Sequence, residues 1–291
     1  WILSNPSAKQ PWDEKSFRWP HPRPGTPEAR NIFMASCALL TKKTAGAFLA
    51  PQRAISAVQE GAWLTFERSL EVETRHFVKL ATGDQSKDMI RTLWYHKNAA
   101  DKQEGLPKVD DAGIENRIKT VGILGAGMMG AGLAYVCAER GYEVVLKDID
   151  QGALERGLDH CNKEAAKLKW LSDEARAEIL GRISGTLEVA GLDGCDLIIE
   201  AVVENIDVKR AVNKETEPTL SENGIWASNT SAIPITDLAS ESKLADRFIG
   251  MHFFSPVEKM PLLEIIMGKE TSEDTLARAL SFAKSIRKTA I

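Results

Sequence analysis

The sequence predicts an α/β protein, a mostly parallel sheet with crossover helices and a helical-hairpin insertion, preceded by a mainly helical segment. Three observations predict it. Beyond about residue 115, short β-branched runs alternate with helical stretches, an order that demands crossover connections and hence parallel strands. A glycine-rich turn stands between the first run and the first helix of that part. Before residue 115, apolar residues recur at helical spacings instead.

Composition narrows the class. The 291 residues carry 37 basic and 41 acidic side chains for a net charge of −4, with 43% hydrophobic and 27% charged residues. That is enough apolar content for a sizeable core, and it argues against wholesale disorder. No polyanion-binding surface is implied, so no nucleic-acid partner is expected. Cys37, Cys137, Cys161 and Cys195 form no CxxC pair. Neither a zinc site nor a disulfide scaffold is expected, and a reducing compartment fits. Thr120 to Ala138 carries no charge and approaches the length of a membrane span, but Gly122, Gly125, Gly127, Gly130 and Gly132 oppose a continuous helix there. No transmembrane segment is therefore expected. Trp1 opens the chain without a targeting signal, which reads as a fragment of a longer protein.

Six of the twelve prolines lie in residues 1–27, an extended lead-in. A helical pattern runs from Glu28 to Phe48, and Pro51 opens a second helix through Val58. Phe66 to Leu80 reads as a third helix and Lys87 to Tyr95 as a fourth. Asn98 to Asn116 has the composition of a connection, which places a domain boundary near 115: residues 1–115 in one part, 116–291 in the other. The strand-like runs that follow are KTVGILG, EVVLKD, GTLEVA, DLIIEAVV, GIWASNT and RFIGMHFF. Between the second and third, Gly152 to Ile183 predicts the helical hairpin, with Ser172 starting its second helix.

The string Gly125-Ala126-Gly127-Met128-Met129-Gly130 follows the first run and precedes a helix. This is the strand, turn and helix context of a dinucleotide-binding turn, and it makes the sheet Rossmann-like. The first glycine permits the turn, the second lets pyrophosphate approach the backbone, and the third lets helix and strand pack closely. Asp148 lies 23 positions after Gly125, after the second run. It suits an acid that hydrogen-bonds the adenosine ribose and repels a 2′-phosphate, which favours NAD over NADP. Asp150 is the rival acid.

His252 ends the run Arg247 to Phe254, and Glu264 lies in PLLEII after a connection holding Pro256 and Pro261. An antiparallel hairpin centred near Glu258 would set His252 directly opposite Glu264, with Cβ atoms about 5 Å apart. The carboxylate can then hold one imidazole nitrogen while the other faces a substrate hydroxyl, the arrangement of a dehydrogenase base. Ser228-Asn229-Thr230-Ser231 ends another run where open α/β sheets bind ligands. Ser231 equally suits a helix cap. His21, His76, His96 and His160 lack metal-ligand spacing, and no metal is expected.

Residues 119–291 resemble the NAD-binding domain of L-3-hydroxyacyl-CoA dehydrogenases in VGILGAGMMGAG, DLIIEAVVENIDVK, ASNTSA and GMHFFSPVEKMPLLEII. APQRAISAVQEGAWLTFERSLEVETRHF, with KQPWDEKSF before it, resembles the segment joining hydratase and dehydrogenase parts in the fatty-acid oxidation complex alpha subunit. The resemblance implies NAD-dependent oxidation of L-3-hydroxyacyl-CoA to 3-oxoacyl-CoA in β-oxidation. His252 would be the general base, Glu264 its partner, and Ser231 a contact to substrate oxygen and cofactor. Gly125, Gly127, Met129, Gly130, Asp148, Ala201, Val202, Val203, Glu204, Lys209, Ser231 and Ser255 would line the NAD site. Ser255 stands where many members have asparagine. The resemblance also implies an acyl-CoA substrate, a thiolase beta subunit as partner, and a bacterial cytoplasm or a mitochondrial matrix as the setting. The family's helical C-terminal domain would lie beyond Ile291, and the acid/base glutamates of the hydratase, a lyase, upstream of Trp1; hydratase activity is not expected. A stand-alone 3-hydroxybutyryl-CoA dehydrogenase and a catalytically silent NAD-binding or docking module are the competing readings. A dehydrogenase of free β-hydroxy acids is a third.

Overall fold

The computed structural model describes residues 2–10, 14–17, 22–107 and 118–291. They belong to two compact units, 1–96 and 97–291. The boundary expected near 115 lies outside the described residues.

In the first unit, α1 (Pro27–Thr44) begins where Thr26 accepts a hydrogen bond from the Ala29 amide and proline takes the first helical position, whose amide needs no partner. It ends at Ala45, which is left-handed with φ 49°. Pro51 sits in the first turn of α2 (Leu49–Gly61), and Thr65 caps α3 (Phe66–Ala81). The fourth helix starts earlier than expected, as α4 (Asp84–Ile90), and widens into a π-helical turn over Arg91–His96. His76 is buried on α3 with Nε2 3.1 Å from Glu60 Oε1 of α2.

The second unit opens with α5 (Lys97–Lys102), a helix inside the stretch expected to be an irregular connection. Two bonds tether it there: the Thr289 hydroxyl donates to Asp101 at 2.7 Å, and the Gln103 side-chain amide donates to the Leu280 carbonyl at 2.9 Å. Among the described residues, eight strands then form one sheet in the order β3-β2-β1-β4-β5-β6-β7-β8. They are β1 (Thr120–Leu124), β2 (Glu143–Lys147), β3 (Ile183–Thr186), β4 (Cys195–Glu200), β5 (Leu220–Ser228), β6 (Phe248–Phe253), β7 (Leu262–Met267) and β8 (Thr289–Ala290). All pairings are parallel except β6 with β7. The first six strands have the Rossmann order, with the switch point between β1 and β4.

Alternation along the strands separates two cores. Val121, Ile123, Val144, Leu146, Leu197, Ile199, Ile225 and Ile249 pack on one face with α6 (Met128–Glu139), α7 (Gln151–Lys167) and α11 (Glu273–Ser285). Leu124, Ile198, Trp226 and Phe248 pack on the other with residues of α10 (Ile235–Ala239) and with Val212 of α9 (Ile206–Thr216). Strand runs of this kind, buried on both faces, are what a covered parallel sheet requires.

The hairpin insertion is α7 followed by α8 (Asp173–Gly181), capped by Asp150 and Ser172 respectively. The third run is displaced: β3 covers 183–186 and Val189–Leu192 is a 3₁₀ turn. The Thr186 hydroxyl accepts from the Glu188 amide at 3.0 Å, a local side-chain turn that ends the strand. The uncharged stretch Thr120 to Ala138 divides into β1, the glycine turn and most of α6. Among the described residues no helix is long and apolar enough to cross a membrane.

Candidate active site

The carboxyl ends of β1, β2, β4, β5 and β6 carry the expected residues, the edge at which open parallel sheets bind ligands. Gly125 is held at φ +93°, and a Cβ there would lie 2.8 Å from the Ala201 carbonyl oxygen. A Cβ on Gly130 would lie 1.7 Å from the Gly125 carbonyl oxygen. These two glycines serve packing. Gly127 is different: it opens α6 with no side-chain cap, and a Cβ there would meet nothing within 4 Å. The uncapped first turn of α6 therefore fronts open space, which suits a phosphate group.

Asp148 stands at the end of β2, where Oδ2 accepts from the Ala126 amide at 2.7 Å and Oδ1 from the Ile149 and Asp150 amides at 2.7 and 3.0 Å. Three amides thus fix an acid beside the glycine turn. Asp150 instead caps α7, accepting from the Ala153 amide at 2.6 Å. A glycine turn with an open helix start and a fixed acid at the next strand end fits the pyrophosphate and ribose of NAD.

A buried charge network lies behind the segment 201–204. Glu200 is fully buried at the end of β4, and Lys209 of α9 is 2% exposed. Lys209 Nζ lies 2.7 Å from Glu200 Oε1 and 3.1 Å from Glu204 Oε2. Glu204 Oε1 accepts from the Thr230 hydroxyl at 2.6 Å, the Ser231 amide at 2.8 Å and the Ser231 hydroxyl at 3.2 Å. Burial would raise the Glu204 pKa, but the Thr230 and Ser231 bonds, with the hydrogen bond and charge of Lys209, outweigh it and hold it at about 2. The ammonium of Lys209 thus faces two carboxylates, while Val203 and Glu204 are exposed.

His252 pairs with Glu264 in the register of β6 and β7. Its Nδ1 lies 2.6 Å from Glu264 Oε2, and its ring centroid 4.6 Å from that of Phe254. A carboxylate only accepts, so Nδ1 carries the proton in the neutral ring and Nε2 presents a lone pair. Among the described residues Nε2 has no hydrogen-bond partner. The Asn229 side-chain oxygen accepts from the Phe253 amide at 2.8 Å, which joins the SNTS loop to the strand carrying His252. The Ser255 hydroxyl lies 3.7 Å from Met128 Sδ, bringing the end of that strand to the start of α6.

Three features escaped sequence reasoning. Glu200 reads there only as a charge inside the run DLIIEAVV. Asn229 appears only as part of a string. His160 of α7 sits with Nε2 2.6 Å from Glu258 Oε1 at the turn of the β6–β7 hairpin, and Glu164 is close by. The i,i+4 spacing of His160 and Glu164 was the available signal; Glu258 is about 100 residues away.

A mostly parallel sheet in this strand order, with the glycine turn, the amide-held Asp148 and the His252–Glu264 pair along one edge, has the form of a dinucleotide-binding domain of dehydrogenase type. Residues 120–291 match the family of the 3-hydroxyacyl-CoA dehydrogenase NAD binding domain, and the chain belongs to that family. NAD is its cofactor. Among solved structures, it is similar to the (S)-3-hydroxybutyryl-CoA dehydrogenase PaaH1 of Ralstonia eutropha, with 42% identity and a TM-score of 0.58 over 60% of this chain and 62% of that one. The 3-hydroxybutyryl-CoA dehydrogenase of Escherichia coli matches with 31% identity and a TM-score of 0.58 over 60% of this chain and 38% of that one. The dehydrogenase part of multifunctional enzyme 1 from C. elegans, at 24% identity and a TM-score of 0.57 over 68% of this chain and 48% of that one, shares the fold. The chain thus spans less than two thirds of each of these relatives.

Proposed function

We propose that the chain provides the NAD site and the proton-transferring pair of an enzyme that oxidises L-3-hydroxyacyl-CoA to 3-oxoacyl-CoA in fatty-acid β-oxidation. The observation that carries this reading is the His252–Glu264 pair, with Nδ1 held at 2.6 Å and Nε2 unpartnered among the described residues, on the same sheet edge as the glycine turn. His252 Nε2 takes the proton of the substrate 3-hydroxyl as the carbon–oxygen double bond forms. Glu264 holds the ring in the one orientation and tautomer that present Nε2, and its charge stabilises the imidazolium that results. NAD bound beside this pair would supply the acceptor for the hydride from C3. Gly127 leaves room for the pyrophosphate at the start of α6, Gly125 and Gly130 keep the turn packed closely enough to present it, and Asp148 takes the ribose. Met129, Ala201, Val202, Val203, Glu204 and Ser255 form the rest of the cofactor wall. Lys209 acts there through Glu204, and the Ser231 hydroxyl contacts the substrate oxygen.

The upstream resemblance supports placing this unit inside a fatty-acid oxidation complex alpha subunit, with a thiolase beta subunit as partner, in a bacterial cytoplasm or a mitochondrial matrix. A stand-alone 3-hydroxybutyryl-CoA dehydrogenase is the second reading, favoured by the 42% identity to PaaH1.

The test follows NADH oxidation with acetoacetyl-CoA in the full-length protein. Turnover is expected and should fall by roughly 10²- to 10⁴-fold in His252→Ala, the range for loss of a general base, while NADH binding persists. Binding without turnover in the wild type would refute the catalytic reading and leave a cofactor-binding module. Co-purification with thiolase separates the two enzyme settings.

A further inference from the structure

We propose that Glu200 is a positioning residue that couples the cofactor loop to the strand bearing His252, an inference that rests on the dehydrogenase reading above. Its carboxylate is 0% exposed, and the Lys209 ammonium beside it is nearly as buried. A buried ion pair is a weak source of stability, because the cost of desolvating two charges offsets most of their attraction and apolar groups of similar size often serve as well. Its placement therefore needs another reason, and its bonds supply one.

The oxygens of Glu200 are used on different segments of the ligand-binding edge. Oε1 accepts from the Val202 amide at 2.7 Å, fixing the turn that leaves β4, and from Lys209 Nζ at 2.7 Å. Oε2 accepts from the Ser228 hydroxyl at 2.7 Å, at the end of β5. The main-chain carbonyl accepts from the Asn229 amide at 2.8 Å. From these points the constraint spreads in two directions. Lys209 holds Glu204, which gathers Thr230 and Ser231 on the cofactor side. Asn229 holds the Phe253 amide, next to His252, on the substrate side. One residue thus sets the relative position of residues 201–204, 228–232 and 252–253, the three segments that must meet cofactor and substrate together.

The test compares the full-length wild type with Glu200→Gln, well below the unfolding temperature of each. The substitution keeps an oxygen for Val202 but removes the charge that faces Lys209 and turns a donor toward Ser228. The expected result is a folded protein whose NADH dissociation constant rises and whose kcat with acetoacetyl-CoA falls, each by about tenfold or more, as for loss of one hydrogen bond to a charged group. A lower unfolding temperature with both constants within twofold of wild type would overturn the proposal and leave Glu200 a purely structural group. Should Glu200→Gln not fold, Ser228→Ala decides. It removes the Oε2 donor alone and is expected to raise the dissociation constant severalfold; no change overturns the proposal. A wild type that binds NADH but lacks turnover defeats the dehydrogenase reading, whereas the Glu200 proposal is still judged by its binding arm.

Discussion

The glycine turn yields a prediction in which two neighbouring glycines fail in opposite ways. In Gly130→Ala, the new Cβ would lie 1.7 Å from the Gly125 carbonyl oxygen and 2.9 Å from its carbon. Both are backbone atoms, so no rotamer change relieves the contact, and α6 must move away from the turn. Overpacking of this kind costs about 1–3 kcal/mol or more, here at the upper end, and alanine's better helix propensity returns about 1 kcal/mol. The net loss is about 2 kcal/mol, equivalent to a fall in Tm of about 4–8 °C for a unit of this size. In Gly127→Ala, nothing lies within 4 Å of the Cβ, and φ is −67°, open to any residue. Stability changes only by the difference between glycine and alanine at a helix N-cap, at most about 1 kcal/mol. The methyl group instead enters the space proposed for pyrophosphate, so the NADH dissociation constant should rise by about tenfold or more, for loss of close backbone approach. Thermal unfolding and fluorescence titration with NADH measure both effects. A Gly130→Ala protein as stable as wild type would refute the packing argument, and unchanged affinity in Gly127→Ala would refute the phosphate cradle.

Further outcomes follow from the same geometry. Glu264→Gln leaves the glycine turn untouched and should reduce kcat by about 10²-fold or more while NADH affinity stays within twofold, since only the support of the proposed base is lost; equal losses in both would contradict the division of roles. Glu204 has a pKa of about 2 in the fold against an ordinary 4.5, so its contacts stabilise the protein above pH 4.5 and that stability is lost as pH falls toward 2. In Glu204→Gln, the fall of Tm over this interval should be shallower than in wild type. Cys137, Cys161 and Cys195 are buried with thiol pKa values pushed up to about 12 by burial, whereas Cys37 is exposed. Titration of the native protein with a thiol reagent should show one fast-reacting group and three more after denaturation.

Most of the sheet was legible because its signals are local. Each strand buried on both faces appears as a short apolar run, and both helices of the insertion have a side-chain cap, Asp150 before α7 and Ser172 before α8. The third strand was misplaced for an equally local reason. GTLEVA carries the β-branched residues of a strand, but Thr186 turns back on the Glu188 amide and the chain enters a 3₁₀ turn. The stretch after 97 read as connection because its charge and glycine content dominate the pattern. Its first turn is nevertheless helical, tethered by Thr289 and Leu280, nearly 190 and 180 residues away, and such distant partners leave no mark on composition.

The candidate site divides along the same line. His252 and Glu264 face each other across one hairpin, so a period of two residues and the position of its turn were enough to pair them. Glu200, Ser228, Lys209 and Asn229 meet only because β4, β5 and β6 run parallel, and parallel neighbours are joined by crossovers too long for any spacing rule. Parallel topology also explains why a single carboxylate can reach so far. All three strands end on the same edge, so one buried acceptor at the end of β4 lies within bonding distance of the next turn, of β5, and through Asn229 of β6. In an antiparallel sheet neighbouring strand ends point to opposite edges, and a comparable hub would need a separate residue for each. The proposed proton-transferring pair belongs to the antiparallel pairing of β6 with β7, and the group proposed to position it belongs to the parallel part.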